Sequence, residues 1–184
     1  MKDKSHLDSE QRLAVLQPEQ TLRRIGLKEG DVLCDIGAGT GVFTVPAAKM
    51  TTNTIYALDV DQEMLDIIAG KAAKEKMTNI ELLKVTEDDT GIARGSLDIA
   101  LMSTVLHHID DQPKYLQKVR DMLKPNGTVA IIEFHKRETE KGPSLDRKIA
   151  SENLAELLGM IRFNVTEIFD LGPDLYCIVA KKNG

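Results

Sequence analysis

The segment Val32–Phe43 reads "VLCDIGAGTGVF". An apolar run ends in Asp35, and glycines follow at three alternate positions, Gly37, Gly39 and Gly41. A short unbroken apolar run suits a strand buried on both faces. Glycine suits a loop where the backbone bends sharply or a ligand comes close. The pattern predicts a strand, a tight loop and a helix over 41–50. In open α/β sheets, ligands sit at such a loop, outside the carboxyl end of the strand.

Similar runs recur on both sides of helical segments. Strands are predicted at 31–36, 54–60, 80–85, 97–103 and 128–134. Helices are predicted at 62–76, with Met64, Leu65 and Ile68 on one face, and at 111–123, with Tyr115, Leu116, Val119 and Leu123 in register. Asp61 fits the N-cap of the first of these helices. Strands alternating with helices imply an α/β protein built on a doubly wound, mostly parallel sheet. "KPNG" (Lys124–Gly127) reads as a turn that ends the second helix.

Residues 7–27 carry Leu13, Leu16, Leu22 and Ile25 around Pro18, which predicts two short helices meeting at a break. After Phe134 the charged, turn-forming stretch His135–Arg147 is long enough to be a functional loop: a solvated one or a lid facing a substrate. A helix over 151–159 with a capping signal follows. "RFNVTEIFDL" and "LYCIVAKK" then read as two strands joined through Gly172–Asp174, a hairpin at one edge of the sheet.

At 184 residues, 42% hydrophobic, with 13 Gly and 6 Pro, the chain fits one globular domain with a real core. It reads as a helical arm (1–30), a central αβ region (31–134) and a terminal segment (135–184). A net charge of −5 and 4% aromatic residues give neither a basic face nor stacking platforms, so no nucleic-acid partner is expected. Cys34 and Cys177 both fall inside apolar strands, which suits small core residues in a reducing compartment. The start "MKDKSHLDSEQ" has no apolar signal region, and no stretch approaches 18 apolar residues. A cytoplasmic location with no membrane partner is expected, and the oligomeric state is left open.

The glycine spacing narrows the ligand. A dinucleotide fingerprint has G-x-G-x-x-G, which would require glycine at 42, where the chain has valine. A phosphate-binding loop needs Gly-Lys-Ser/Thr, and no lysine follows before Lys49. Asp59 ends the second predicted strand, twenty residues beyond Gly39, where a carboxylate accepts from two ribose hydroxyls. Asp35, ending the first strand, would repel a pyrophosphate and suits a cationic amine.

"VLCDIGAGTGVF", "YALDVDQEML", "SLDIALMSTVLHHIDD" and "MLKPNGTVAIIEF", in this order, resemble the class I S-adenosylmethionine-dependent methyltransferases. The branch resembled is that of the small ubiquinone/menaquinone-biosynthesis methylases (methyltransferase type 11). The ending "GPSLDRKIASENLAELL" resembles a subgroup of them, so the likeness spans nearly the whole chain. It implies a Rossmann-like, seven-stranded sheet of order 3-2-1-4-5-7-6 with strand 7 antiparallel, and S-adenosylmethionine as cofactor over a cofactor-binding core at 31–134.

By the same resemblance, Asp35, Gly37, Ala38, Gly39, Thr40 and Gly41 hold the methionine and ribose, with Asp59 on the ribose hydroxyls. Val60 and Met64 cover the adenine, and Ser103, Thr104 and Val105 face the sulfonium and methionine chain. The family's acidic acceptor for the adenine amino group aligns directly with Thr86 and, shifted by one residue, with Glu87. The shifted alignment is preferred and Thr86 is retained.

His107 and His108 are candidates for a general base, since imidazole titrates near neutrality and this loop lies by the transferred methyl in the family. Packing or hydrogen bonding at the floor of the site is the competing role. Adjacent histidines cannot face the same way, and no further ligand sits at metal spacing, so no metal is expected. Arg12 and Arg147 could anchor an anionic substrate, although a surface arginine is the default.

The chain lacks the Asn/Asp-Pro-Pro-Tyr turn of amino-group methylation, having "MSTV" at 102–105, and lacks the Pro-Cys loop of cytosine C5 chemistry. The reading is therefore methyl transfer by in-line displacement to a small-molecule acceptor at oxygen, nitrogen or carbon. The rivals are a noncatalytic S-adenosylmethionine-binding module and, behind it, an NAD(P)-dependent oxidoreductase.

Overall fold

Pro18 decides how the chain starts. Helix α1 (Glu10–Leu16) opens on Ser9, whose side chain accepts from the Arg12 N–H at 3.3 Å, and α2 (Pro18–Arg24) opens on Pro18 itself. Proline at a first helical position forfeits no intrahelical bond, and Gln17 between the helices turns the chain with a φ of 42°. The computed structural model describes residues 9–86, 89–139 and 142–183, and two compact units divide the chain, Met1–Gly91 and Ile92–Gly184.

In the first unit, β1 (Leu33–Ile36), β2 (Ile55–Asp59) and β3 (Ile80–Lys84) run parallel, with Asp35 opposite Ala57 and Leu58 opposite Leu83. Helices α3 (Thr44–Met50) and α4 (Gln62–Lys74) connect them. All four residues of β1 are buried, as a parallel strand covered on both faces requires. β1 starts two residues later than predicted because Asp31 is turn chemistry: its carboxylate accepts the Lys28 N–H at 3.1 Å. Helix α4 is capped as expected, Asp61 accepting from the Glu63 N–H at 3.0 Å, and it buries Met64, Leu65 and Ile68.

The second unit holds β4 (Leu97–Ser103), a 3-10 turn (Leu106–His108), α5 (Gln112–Met122), β5 (Leu123–Phe134), α6 (Ser151–Met160), β6 (Phe163–Leu171) and β7 (Leu175–Lys182). Strand β5 is parallel to β4, and β7 is antiparallel to both β5 and β6. The seven strands take the order 3-2-1-4-5-7-6, the fold expected. Val129–Ile132 of β5 are all fully buried, each large side chain contributing roughly 1.5–3 kcal/mol of apolar burial.

Two expectations need correction. Strand β5 begins at Leu123, not at 128. Leu97 faces Leu123 and Ile99 faces Thr128, so Lys124–Gly127 bulge out of the ladder, with Asn126 at a φ of 62°. The turn residues of "KPNG" thus interrupt a strand rather than precede one. Helix α6 has Ala150 as its N-cap, with no side-chain cap bond, so the capping signal does not operate. Cys34 and Cys177 are buried free thiols. Among the described residues no helix is long and apolar enough to cross a membrane.

Candidate functional site

The glycine loop is strapped to β2 through its backbone. The N–H groups of Gly37 and Ala38 both donate to Leu58 O, at 2.8 and 2.9 Å, and Gly41 N–H donates to Ala38 O at 2.9 Å. The three glycines have φ values of 70°, 54° and 83°, a left-handed region closed to most side chains. Two of them serve different ends. A Cβ on Gly41 would lie 2.9 Å from Ile68 Cγ1, so its bareness lets α4 pack, whereas a Cβ on Gly39 would meet nothing within 4 Å. Ala38 packs with Ala57 and Ile68, and Thr40 is buried with its carbonyl accepting from Lys71 Nζ at 2.8 Å.

Asp59 closes the loop. Its Oδ2 accepts from the Gly39 N–H at 2.8 Å and its Oδ1 from the Asp61 N–H at 2.9 Å, with the residue 8% exposed. A carboxylate has about four lone-pair sites, so each oxygen can still accept from a ligand. Asp35 lies deeper, 2% exposed, and takes the Thr44 hydroxyl on Oδ2 at 2.6 Å. Burial pushes its carboxyl up to about 6, against the opposing Thr44 bond and with the Asp59 charge adding to the rise.

Beside Asp59, Val60 is 64% exposed, while Met64 is buried in the first turn of α4. Val85 N–H donates to Asp59 O at 3.1 Å, which brings the segment after β3 to the same place. There Thr86 bonds Asp89 twice: its N–H donates to Asp89 O and its hydroxyl accepts from Asp89 N–H, both at 3.2 Å. Glu87, the preferred adenine acceptor, lies outside the described residues.

In the second unit β4 ends in Ser103, whose Oγ is buried with no hydrogen-bond partner among the described residues. Thr104 follows with a φ of 57°, held by its N–H on Ile132 O at 2.8 Å. A β-branched residue in the left-handed region is strained, and such strain gathers at functional loops.

The 3-10 turn then presents the two histidines unequally, His107 buried and His108 exposed. Their rings nevertheless touch, with centroids 4.1 Å apart and planes tilted by 47°. The expectation that they diverge therefore holds for burial and not for contact. Burial, then His107, then Arg147 lower the His108 pKa, against the pull of Glu133.

Glu133 is the residue that the sequence reading missed. It is 1% exposed near the end of β5 and bonds His107 twice. Its Oε2 lies 2.8 Å from Nδ1, and its Oε1 accepts the His107 backbone N–H at 3.3 Å. The available signal was a lone carboxylate in "TVAIIEF", at a place where a buried strand should carry none.

The stretch His135–Arg147, of which residues 140 and 141 are outside the described set, is anchored. Lys148 Nζ donates to Arg137 O and to Thr139 Oγ1, each at 2.7 Å, and stands 5.5 Å from the centre of the Phe134 ring. A Cβ on Gly142 would reach Phe134 Cε1 at 2.7 Å, so this loop packs directly on that ring. Arg147 pairs with Asp110 at 2.8 Å on the surface. Arg12 is half-buried in α1, and burial lowers its pKa.

Comparison with known proteins follows the same lines. The methyltransferase domain family matches residues 34–131. The 2-phytyl-1,4-naphtoquinone methyltransferase of Trichormus variabilis is 27% identical over 126 residues, 67% of this chain and 55% of that protein. The ubiquinone/menaquinone biosynthesis C-methyltransferase UbiE of Campylobacter jejuni is 30% identical over 125 residues, 65% of this chain and 51% of that protein. The chain spans about half the length of these relatives. Among solved structures, a SAM dependent methyltransferase from Aquifex aeolicus superposes with a TM-score of 0.88 at 27% identity, over 97% of this chain and 96% of that one.

Proposed function

Because the chain belongs to the methyltransferase domain family, which matches it over residues 34–131, we propose that it is an S-adenosylmethionine-dependent methyltransferase acting on a small-molecule acceptor. The observation that carries this reading is the 2.8 Å hydrogen bond from Gly39 N–H to Asp59. It fixes a bare backbone position and a carboxylate side by side, as a ligand joining an amino acid to a ribose requires.

The residues fit that cofactor on two counts. Gly39 borders open space where any Cβ would stand, and the Asp59 oxygens keep acceptor sites for the two ribose hydroxyls. Gly37, Ala38, Thr40 and Gly41 complete the proposed set as the loop whose internal bonds hold Gly39 in place. Asp35 supplies negative potential beneath the loop for an ammonium group. Val60 is the exposed apolar cover for a base, and Thr86 stands near Asp59 as a polar contact. Ser103 and Thr104 stay in the proposed set, supported by the partnerless Ser103 Oγ and the strained Thr104 backbone.

When bound, the cofactor supplies a methyl group on a sulfonium, already a good leaving group. The chain's own task is then alignment, holding the acceptor atom in line with carbon and sulfur.

Titration calorimetry tests the reading. Wild type should bind S-adenosylmethionine and not NAD. Asp59→Ala should weaken binding by about 1–3 kcal/mol, roughly fivefold to 150-fold, from lost charged hydrogen bonds. A folded Asp59→Ala protein with undiminished affinity, or a wild type that binds only NAD, would refute it. Tight binding with no methyl transfer to any acceptor would favour a noncatalytic module.

A further inference from the structure

Glu133 poses a physical problem that the cofactor site does not answer. A carboxylate 1% exposed in a strand whose neighbours Ile131 and Ile132 are fully buried costs several kcal/mol in lost hydration unless its oxygens are paired. Both oxygens are spent on a single residue, one on the backbone N–H of His107 and one on its ring. An ionised carboxylate only accepts, so the proton of a neutral His107 ring must sit on Nδ1, and Nε2 carries the lone pair. Among the described residues, nothing else hydrogen-bonds the His107 ring. One nitrogen is locked by a buried carboxylate while the other is left for a partner from outside, an asymmetry that packing alone does not need.

We propose that His107 Nε2 is the base that receives the acceptor's proton, that Glu133 is its positioning residue, and that the acceptor is a compound methylated at a hydroxyl or ring N–H. This rests on the methyltransferase reading. As the proton passes from the acceptor's O–H or N–H to Nε2, the freed electron pair forms the bond to the methyl carbon. The carbon–sulfur bond breaks with its pair moving to sulfur, and a neutral thioether is left. The imidazolium, held against Glu133, then gives its proton to water, so the balance is methylated acceptor, thioether and one released proton. Carboxylates and thiolates, anionic already, have no use for such a base.

The surroundings suit a ring that gains charge. Phe134 meets His107 edge-on with centroids 6.0 Å apart. His108, its pKa lowered by burial, then by His107 and Arg147 against the pull of Glu133, is disfavoured as a second positive charge beside the ring. From β7, Tyr176 faces Glu133 and is held above the ordinary phenol range by burial, then by Glu133 and Glu152, so it stays protonated. Glu133 is then the ionised group placed to neutralise the imidazolium.

The test uses the full chain labelled with 15N-histidine, in the presence of S-adenosylhomocysteine, with His107→Gln to assign the ring. At neutral pH, long-range 1H–15N spectra should show His107 protonated on Nδ1 and bare on Nε2. Glu133→Gln should abolish that preference, while S-adenosylmethionine affinity by calorimetry stays within about twofold. A proton on Nε2 in wild type, or a tautomer unmoved by Glu133→Gln, would overturn the assignment, and the first of these is read on the wild-type protein itself.

In a mixed panel of phenols, N–H heteroaromatics, thiols and carboxylates, product should form from hydroxyl or N–H members and fall about 10²–10⁴-fold in His107→Gln. A panel with no product from those members overturns the acceptor class. If wild type binds no S-adenosylmethionine, the underlying methyltransferase reading fails. If it binds and the tautomer is wrong, only this assignment does.

Discussion

The two units build their candidate residues by opposite means. In the first, Gly37, Ala38 and Gly39 are held by backbone N–H groups on Leu58 and Asp59, and the decisive side chains lie a few residues from the strand ends that carry them. In the second, His107 on a 3-10 turn is held by a carboxylate 26 residues away on β5, and the charged loop after β5 is pinned by Lys148 and by a ring. Backbone-built sites tolerate little choice of residue, because only glycine meets the φ requirement, and so they leave a motif. Side-chain-built sites can be assembled from many positions and leave none.

The largest effect should come from breaking the side-chain device. His107→Phe leaves Glu133 as a buried charge without its partner, which costs about 3–5 kcal/mol. Urea unfolding followed by circular dichroism would measure it. The double variant His107→Phe with Glu133→Leu should recover most of the loss, since a packed apolar pair is often as stable as a buried ionic one. A loss under about 1 kcal/mol in the single variant would mean that Glu133 is not ionised there, and the contrast between the units would weaken.

The first unit should respond with the other sign. Asp35 holds its proton more tightly folded than unfolded, near 6 against an ordinary 3.8. The stability linked to that proton is present in full below about pH 4 and is lost as the pH rises through 6. At about 1.4 kcal/mol per pH unit, the ionised group costs the fold roughly 3 kcal/mol at neutral pH. Asp35→Asn keeps an oxygen for the Thr44 hydroxyl and sheds the charge. It should therefore stabilise the ligand-free protein by about 2–3 kcal/mol at pH 7.5 and hardly at all at pH 4. Equal gains at both pH values would show that burial of the charge is not the cause, and that the loop does not store strain for a cationic ligand.

This division also explains what could be read from the residues alone. The helix cap at Asp61, the break at Pro18 and the place of Asp59 at the end of β2 follow from local chemistry or fixed spacing, so they were legible, whereas the strand order was legible only through the family resemblance. Glu133 was not, because its meaning depends on β5 delivering it to the 3-10 turn, and nothing near it in sequence says so. The bulge at Lys124–Gly127 was hidden for a related reason. Turn residues ordinarily end an element, and only the pairing of Leu97 with Leu123 keeps the strand going beyond them. Gly41 was read together with Gly39 as a ligand contact, and only the position of Ile68 separates its packing role.

The smallest effect sharpens the contrast most. Arg147 and Asp110 form an exposed pair at 2.8 Å, and exposed pairs contribute under about 1 kcal/mol. Arg147→Ala should therefore leave the urea midpoint nearly unchanged. Yet Arg147 is one of the charges that hold down the pKa of His108, after burial and His107, so its removal should move the His108 titration upward, as read from the ring proton shifts in NMR. A surface charge that tunes a neighbouring imidazole without supporting the fold is what a side-chain-built site permits. A loss above about 2 kcal/mol would instead make Arg147 a structural anchor of the charged loop, and the second unit would then be as tightly constrained as the first.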